Sequence, residues 1–134
     1  MALKNKLVNL EDLKAAYDNL KGMIDAMSVV ETVSVPVSGT NVSSDSFCNA
    51  TKCGSDVVVD LCLRLTTFDT QTNMVVATLP SGYRPTQFTS GEVMRNSSGT
   101  GRSVITIAPN GGVTVLEAYG VDPCYAHISF LTDD

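Results

Sequence analysis

The stretch from Thr78 to Val115 constrains this chain most, because it admits neither a long helix nor an unbroken strand. Leu79-Pro80, Ser81-Gly82 and Arg84-Pro85 follow one another directly after the strand-like Met74–Leu79. Each proline removes a backbone donor and holds the residue before it extended, and the intervening glycine supplies turn conformations, so the segment forms a stiff, non-helical corner. Further on, Val104, Ile105 and Ile107 lead into Pro109-Asn110-Gly111-Gly112, and Val113 and Val115 lead out. An Asn-Gly pair between such runs predicts a tight hairpin with positive φ in its turn.

The surrounding chain reads in the same way. Val57, Val59, Leu61, Leu63 and Leu65 alternate with Val58, Asp60, Cys62, Arg64 and Thr66 in the clearest strand, with the first set facing a core. Met74 to Leu79, Phe88 to Met94, Arg102 to Ile107, Gly112 to Tyr119 and Cys124 to Leu131 supply the other candidates. Thr67 to Asn73, Gly39 to Ser46 and Asn49 to Asp56 read as turns or surface loops. Between Ser28 and Pro36, β-branched alternation with a proline suggests an edge strand or an extended connector. Short strands at this spacing predict a mainly β fold, an antiparallel sandwich or barrel.

One helix precedes them. Leu10, Leu13, Tyr17, Leu20, Ile24 and Met27 recur in steps of three and four, while Glu11, Asp12, Lys14, Asp18, Lys21 and Asp25 fall off that seam. Asn9 is placed to cap its start. A helix with so narrow a seam is marginal alone in water, so its apolar residues are expected to be covered, by other copies of the chain or by its own domain. The organisation expected is an oligomerisation helix over 1–28, an extended connector with loops over 29–56, and a β-rich head over 57–134.

A formal charge of −5, with nine Lys and Arg and no basic cluster, argues against nucleic acid or an anionic membrane as partner. No apolar run approaches the roughly 20 residues of a membrane span, and Met1–Lys6 lacks the apolar centre of a secretory signal. The chain is therefore expected to be made in the cytoplasm and to stay soluble. That setting favours reduced thiols for Cys48, Cys53, Cys62 and Cys124, with a Cys48–Cys53 bridge as the exception to look for. No C-x-x-C pair is present and His127 is the only histidine, so neither a metal nor a cofactor is expected.

Catalysis finds little support. His127 shares a strand parity with Tyr125 and Ser129, which favours a surface or interface histidine over a catalytic base. Asp60, Asp69, Glu92, Glu117 and Asp122 show no spacing that distinguishes paired catalytic acids from solvated carboxylates. Asn96-Ser-Ser-Gly-Thr-Gly101 lacks the Gly-Lys-Ser/Thr ending of a phosphate loop and precedes a strand.

The residues Leu79-Pro80-Ser81-Gly82-Tyr83-Arg84-Pro85, with the hairpin strands around Asn110-Gly111, resemble a pattern near the C-terminus of bacteriophage tail-fibre and baseplate receptor-binding proteins. The resemblance covers about the last half of the chain. It implies a trimeric tip module, in which three helices form a short coiled coil and three β heads pack together, made in the bacterial host and carried on the virion. It also implies non-enzymatic recognition of the host surface, most simply of a saccharide, with the N-terminal region contacting other virion proteins. The residues it offers for ligand binding are Tyr83, Arg84, Arg102, Tyr119 and Asp122, in polar loops at the tip. A short head or tail fibre, or a decoration protein with a structural role only, is the alternative.

Overall fold

The computed structural model describes residues 9–67, 70–95, 101–119 and 123–133. Helix α1 spans Leu10–Ser28, and Asn9 caps it, its side-chain oxygen accepting from the Glu11 N–H at 2.9 Å. Eight strands follow: β1 Val30–Val35, β2 Phe47–Cys53, β3 Asp56–Leu63, β4 Thr70–Thr78, β5 Thr89–Arg95, β6 Gly101–Ile107, β7 Gly112–Tyr119 and β8 Cys124–Leu131.

All eight belong to one antiparallel sheet in the order β1-β2-β3-β8-β5-β6-β7-β4. Strands β5, β6 and β7 form a meander, β4 returns beside β7, and β8 enters between β3 and β5, which is Greek-key connectivity. The sheet curls until its edges approach, and the Ser38 N–H just beyond β1 donates to Val76 O in β4 at 2.8 Å. Alternation decides what lies inside. Val57, Val59, Leu63, Ile105, Ile107, Val113 and Val115 are buried, while their odd-step neighbours face outward.

The proline-rich corner is a clamp across this curl. Leu79 N–H donates to Gly111 O at 2.8 Å, and Arg84 Nε–H donates back to Leu79 O at the same distance. Gly111 has φ +92°, so the Asn-Gly turn is built as its sequence demands. The Tyr83 ring is buried, with its hydroxyl donating to Glu31 of β1 at 3.4 Å and the Lys52 ammonium of β2 5.8 Å from the ring centre. Burial, then the Glu31 carboxylate, push the Tyr83 hydroxyl above its ordinary pKa.

Two readings of the sequence need correction. Phe47–Cys53, most of which reads as a surface loop, is β2, paired on both sides with β1 and β3. Its inward residues, Cys48 and Ala50, are too small to signal a core strand, and between them and beyond them stand polar Asn49 and Thr51; the Thr32 and Thr51 hydroxyls, 3.0 Å apart, link it to β1. Strand β4 also begins at Thr70, within the expected polar turn. Val33 and Val37 pack against the core that Val35 enters, so β1 is an edge strand of the sheet.

Cys48, Cys62 and Cys124 are buried thiols and Cys53 is half-buried; Cys48 and Cys53 form no bridge. Burial, helped by the Asp60 carboxylate, pushes the Cys48 thiol from its ordinary 9.0 up to about 11. A raised folded-state pKa stabilises the fold fully below the unfolded value, and that contribution is lost as pH rises toward 11. At 1.36 kcal/mol per unit, the loss is about 2 kcal/mol. Urea unfolding between pH 8 and 11 should therefore show a drop that is smaller by this amount in Cys48→Ala; equal drops would contradict the assignment.

Candidate functional site

The outer face of β2, β3, β8 and β5 carries an open hollow of about 710 Å³, lined by Phe47, Asn49, Asp60, Glu92, Met94, Tyr125 and His127. Strand register assembles it. Phe47 pairs with Cys62, Cys62 with Tyr125, and Tyr125 with Met94, so these side chains form one row across four strands. Asn49 pairs with Asp60 and Asp60 with His127, which makes a second row beside the first. The first row is apolar and aromatic; the second is polar.

Apart from buried Cys62, both rows reach solvent. Met94 is 64% exposed, Tyr125 51% and Phe47 46%, although strands normally turn such residues inward. His127 and Asp60 are joined by a hydrogen bond in which Nδ1–H donates to Oδ1, which leaves the other ring nitrogen, Nε2, to meet a ligand. Burial raises the Cys62 thiol pKa, the opposite of what a thiolate nucleophile requires. An aromatic ring beside carboxylate, amide and imidazole groups can stack on the C–H face of a sugar and bond its hydroxyls.

The residues singled out in the sequence fall in different places. Tyr83 and Arg84 belong to the clamp, and neither lines the hollow; Arg84 borders a separate depression of about 320 Å³ with Ser81, Pro85 and Asp133. The backbone of Arg102 pairs with Met94, so β6 sets that residue at the margin of the hollow, but its side chain lies outside the described residues. The Tyr119 side chain also lies outside them, as does all of Asp122. On α1, Leu10, Leu13, Tyr17, Leu20 and Ile24 are each at least half exposed, so the head does not cover the seam; the Met27 side chain lies outside the described set.

Sequence reasoning missed the hollow for a local reason. Asn49 was hidden in an apparent loop and Phe47 fell between two of them, while Asp60, Tyr125 and His127 read one strand at a time as a wet or interface surface. The shared outward parity of Asp60 with Cys62 and of Tyr125 with His127 was visible, but only the β3–β8 pairing brings them together.

The fold recurs in solved structures. The receptor binding protein of Listeria phage PSA matches over 99% of this chain and 85% of its own, with a TM-score of 0.65 and 16% identity. The head domain of phage bIL170, described among the receptor binding domains of lactococcal phages, matches over 77% of this chain and 98% of its own, with a TM-score of 0.55 and 14% identity. The chain shares their fold. No protein-family model matches the sequence, and no curated protein matches it. Among the described residues, no helix is long and apolar enough to cross a membrane, and no group of three or more His, Cys, Asp or Glu residues could hold a metal ion.

Proposed function

We propose that this chain is a bacteriophage receptor-binding module that recognises a saccharide on the bacterial surface through the hollow on β2, β3, β8 and β5. The observation that carries the reading is the fold, shared over nearly the whole chain with a phage receptor binding protein. The hollow supports it with exposed Tyr125 and Phe47 beside Asp60 and His127. The activity is binding without turnover, and the protein's place is the virion. Three copies join through Leu10, Leu13, Tyr17, Leu20, Ile24 and Met27, and the region before Leu10 contacts other virion proteins. Each site on its own is shallow, and three linked sites raise the avidity.

Labelled protein applied to cells of the host should bind and be displaced by isolated cell-wall polysaccharide. Tyr125→Ala and Asp60→Asn are each expected to lower binding at least about tenfold, the loss of roughly 1.4 kcal/mol or more per site, with an unchanged circular dichroism spectrum. Arg102→Ala should weaken binding less, since only the backbone of that residue is set at the margin of the hollow. A protein that binds no host cell yet is found fixed along the virion would replace this reading with that of a structural fibre.

A further inference from the structure

The polar row of the hollow has a charge pattern that narrows what the hollow can hold. Asn49, Asp60 and His127 lie side by side across β2, β3 and β8, and one step beyond the Val93–Ala126 pair Glu92 of β5 comes alongside His127. His127 therefore stands between two carboxylates, Asp60, to which its Nδ1–H donates, and Glu92. With a neutral imidazole the row carries two negative charges, and with a protonated one it is still negative on balance. The residues described around the hollow include neither Lys nor Arg. Arg64, two residues along β3 from Cys62, is ion-paired with Asp45 at 3.4 Å and does not line it. The formal charge of −5 on the whole chain adds to the same field.

We infer that the saccharide held in this hollow bears a positively charged amine. An ammonium group has three donors and no acceptor, and the Asp60 and Glu92 carboxylates and the Nε2 of a neutral His127 are acceptors. The neighbouring row presents the exposed rings of Phe47 and Tyr125, and the face of an aromatic ring attracts a cation. Aromatic rings alone would serve any sugar; rings beside paired carboxylates favour a cationic one. A phosphate or carboxylate would meet like charge there. A metal ion is the poorer match, because among the described residues no group of three or more His, Cys, Asp or Glu could hold one. The amine has two chemical sources, an amino sugar within the glycan or an aminoacyl ester attached to it. The inference rests on the receptor-binding role proposed above and adds the charge class of the ligand.

The test uses cell-wall polysaccharide of the host, immobilised on a biosensor at about pH 7 as isolated, after N-acetylation with acetic anhydride, and after mild alkaline treatment. N-acetylation removes the charge of the amine and should weaken binding of the full-length protein at least about tenfold. Raising the salt to about 0.5 M should weaken binding to the native polysaccharide several-fold and leave binding to the acetylated one unchanged. Glu92→Gln should lose about fivefold in affinity for the native form and nothing for the acetylated form, whereas Glu117→Gln, which removes the same charge from an exposed position on β7, should bind both like wild type. Alkali cleaves an aminoacyl ester and spares an amino sugar, so loss of binding after it assigns the first source and retention the second. Equal binding to the native and acetylated forms, or equal behaviour of Glu92→Gln and Glu117→Gln, overturns this inference and leaves the saccharide reading standing. A protein that binds no form of the polysaccharide overturns both.

Discussion

Gly111→Ala is expected to lower the stability of the head by about 3 kcal/mol. Part of that loss is conformational, since φ +92° is strained for a residue with a Cβ, by roughly 1–2 kcal/mol. The remainder is steric. A Cβ at this position would stand 2.5 Å from Leu79 O, 2.8 Å from Arg84 Nε and 3.2 Å from Leu79 N. Two of these are backbone atoms of the clamp, and they can move only by giving up the Leu79–Gly111 hydrogen bond, so overpacking adds about 1–2 kcal/mol. Gly54 provides the control. Its φ is +62° but nothing lies within 4 Å of an added Cβ, so Gly54→Ala should cost the conformational part alone, about 1–2 kcal/mol. Equal urea midpoints for the two variants would show that the corner does not clamp the hairpin.

The double variant Leu13→Asp/Leu20→Asp is expected to convert a three-chain particle into single chains with little change in the melting of the head. The contrast follows from exposure. Leu13 is 50% and Leu20 57% exposed in the single chain and neither belongs to the core of the head, so aspartate at either position would leave that core intact. In a bundle of copies the same positions face one another, and an uncompensated carboxylate there costs several kcal/mol per chain. Light scattering with thermal unfolding decides between these settings. A variant that keeps the wild-type mass would show that the seam is not the joint. One that loses the head transition would show that the helix packs on its own domain after all.

Local chemistry made much of this legible. The Asn110-Gly111 turn, the strand at Val57 and the Asn9 cap each depend on a few neighbouring residues, and each stands where the sequence puts it. What could not be read was pairing. Strand β2 announces itself through cross-strand partners more than through its own residues, since Ala50 gains its burial only when Val33 and Val59 flank it. The candidate site failed to emerge for the same reason, because a hollow built from four strands has no contiguous signature. Tyr83 shows what a local reading leaves open. Its place in a loop-like, polar segment allowed either a ligand contact or a plug for its own turn, and the ring is buried in the corner, tied to Glu31 and Lys52 far away in sequence.

The central claim, that the outer face of β2, β3, β8 and β5 holds a surface saccharide, is tested most directly by nuclear magnetic resonance. The 15N-labelled protein would be titrated with soluble fragments of the host cell-wall polysaccharide. The ring protons of His127 give an isolated probe, because the chain has one histidine. Saturable shifts confined to Phe47, Asn49, Asp60, Tyr125 and His127, and absent in Tyr125→Ala, are the result predicted. Saturable shifts centred on the Tyr83–Arg84 corner, or no shifts with fragments that block attachment of the virion to its host, would contradict it.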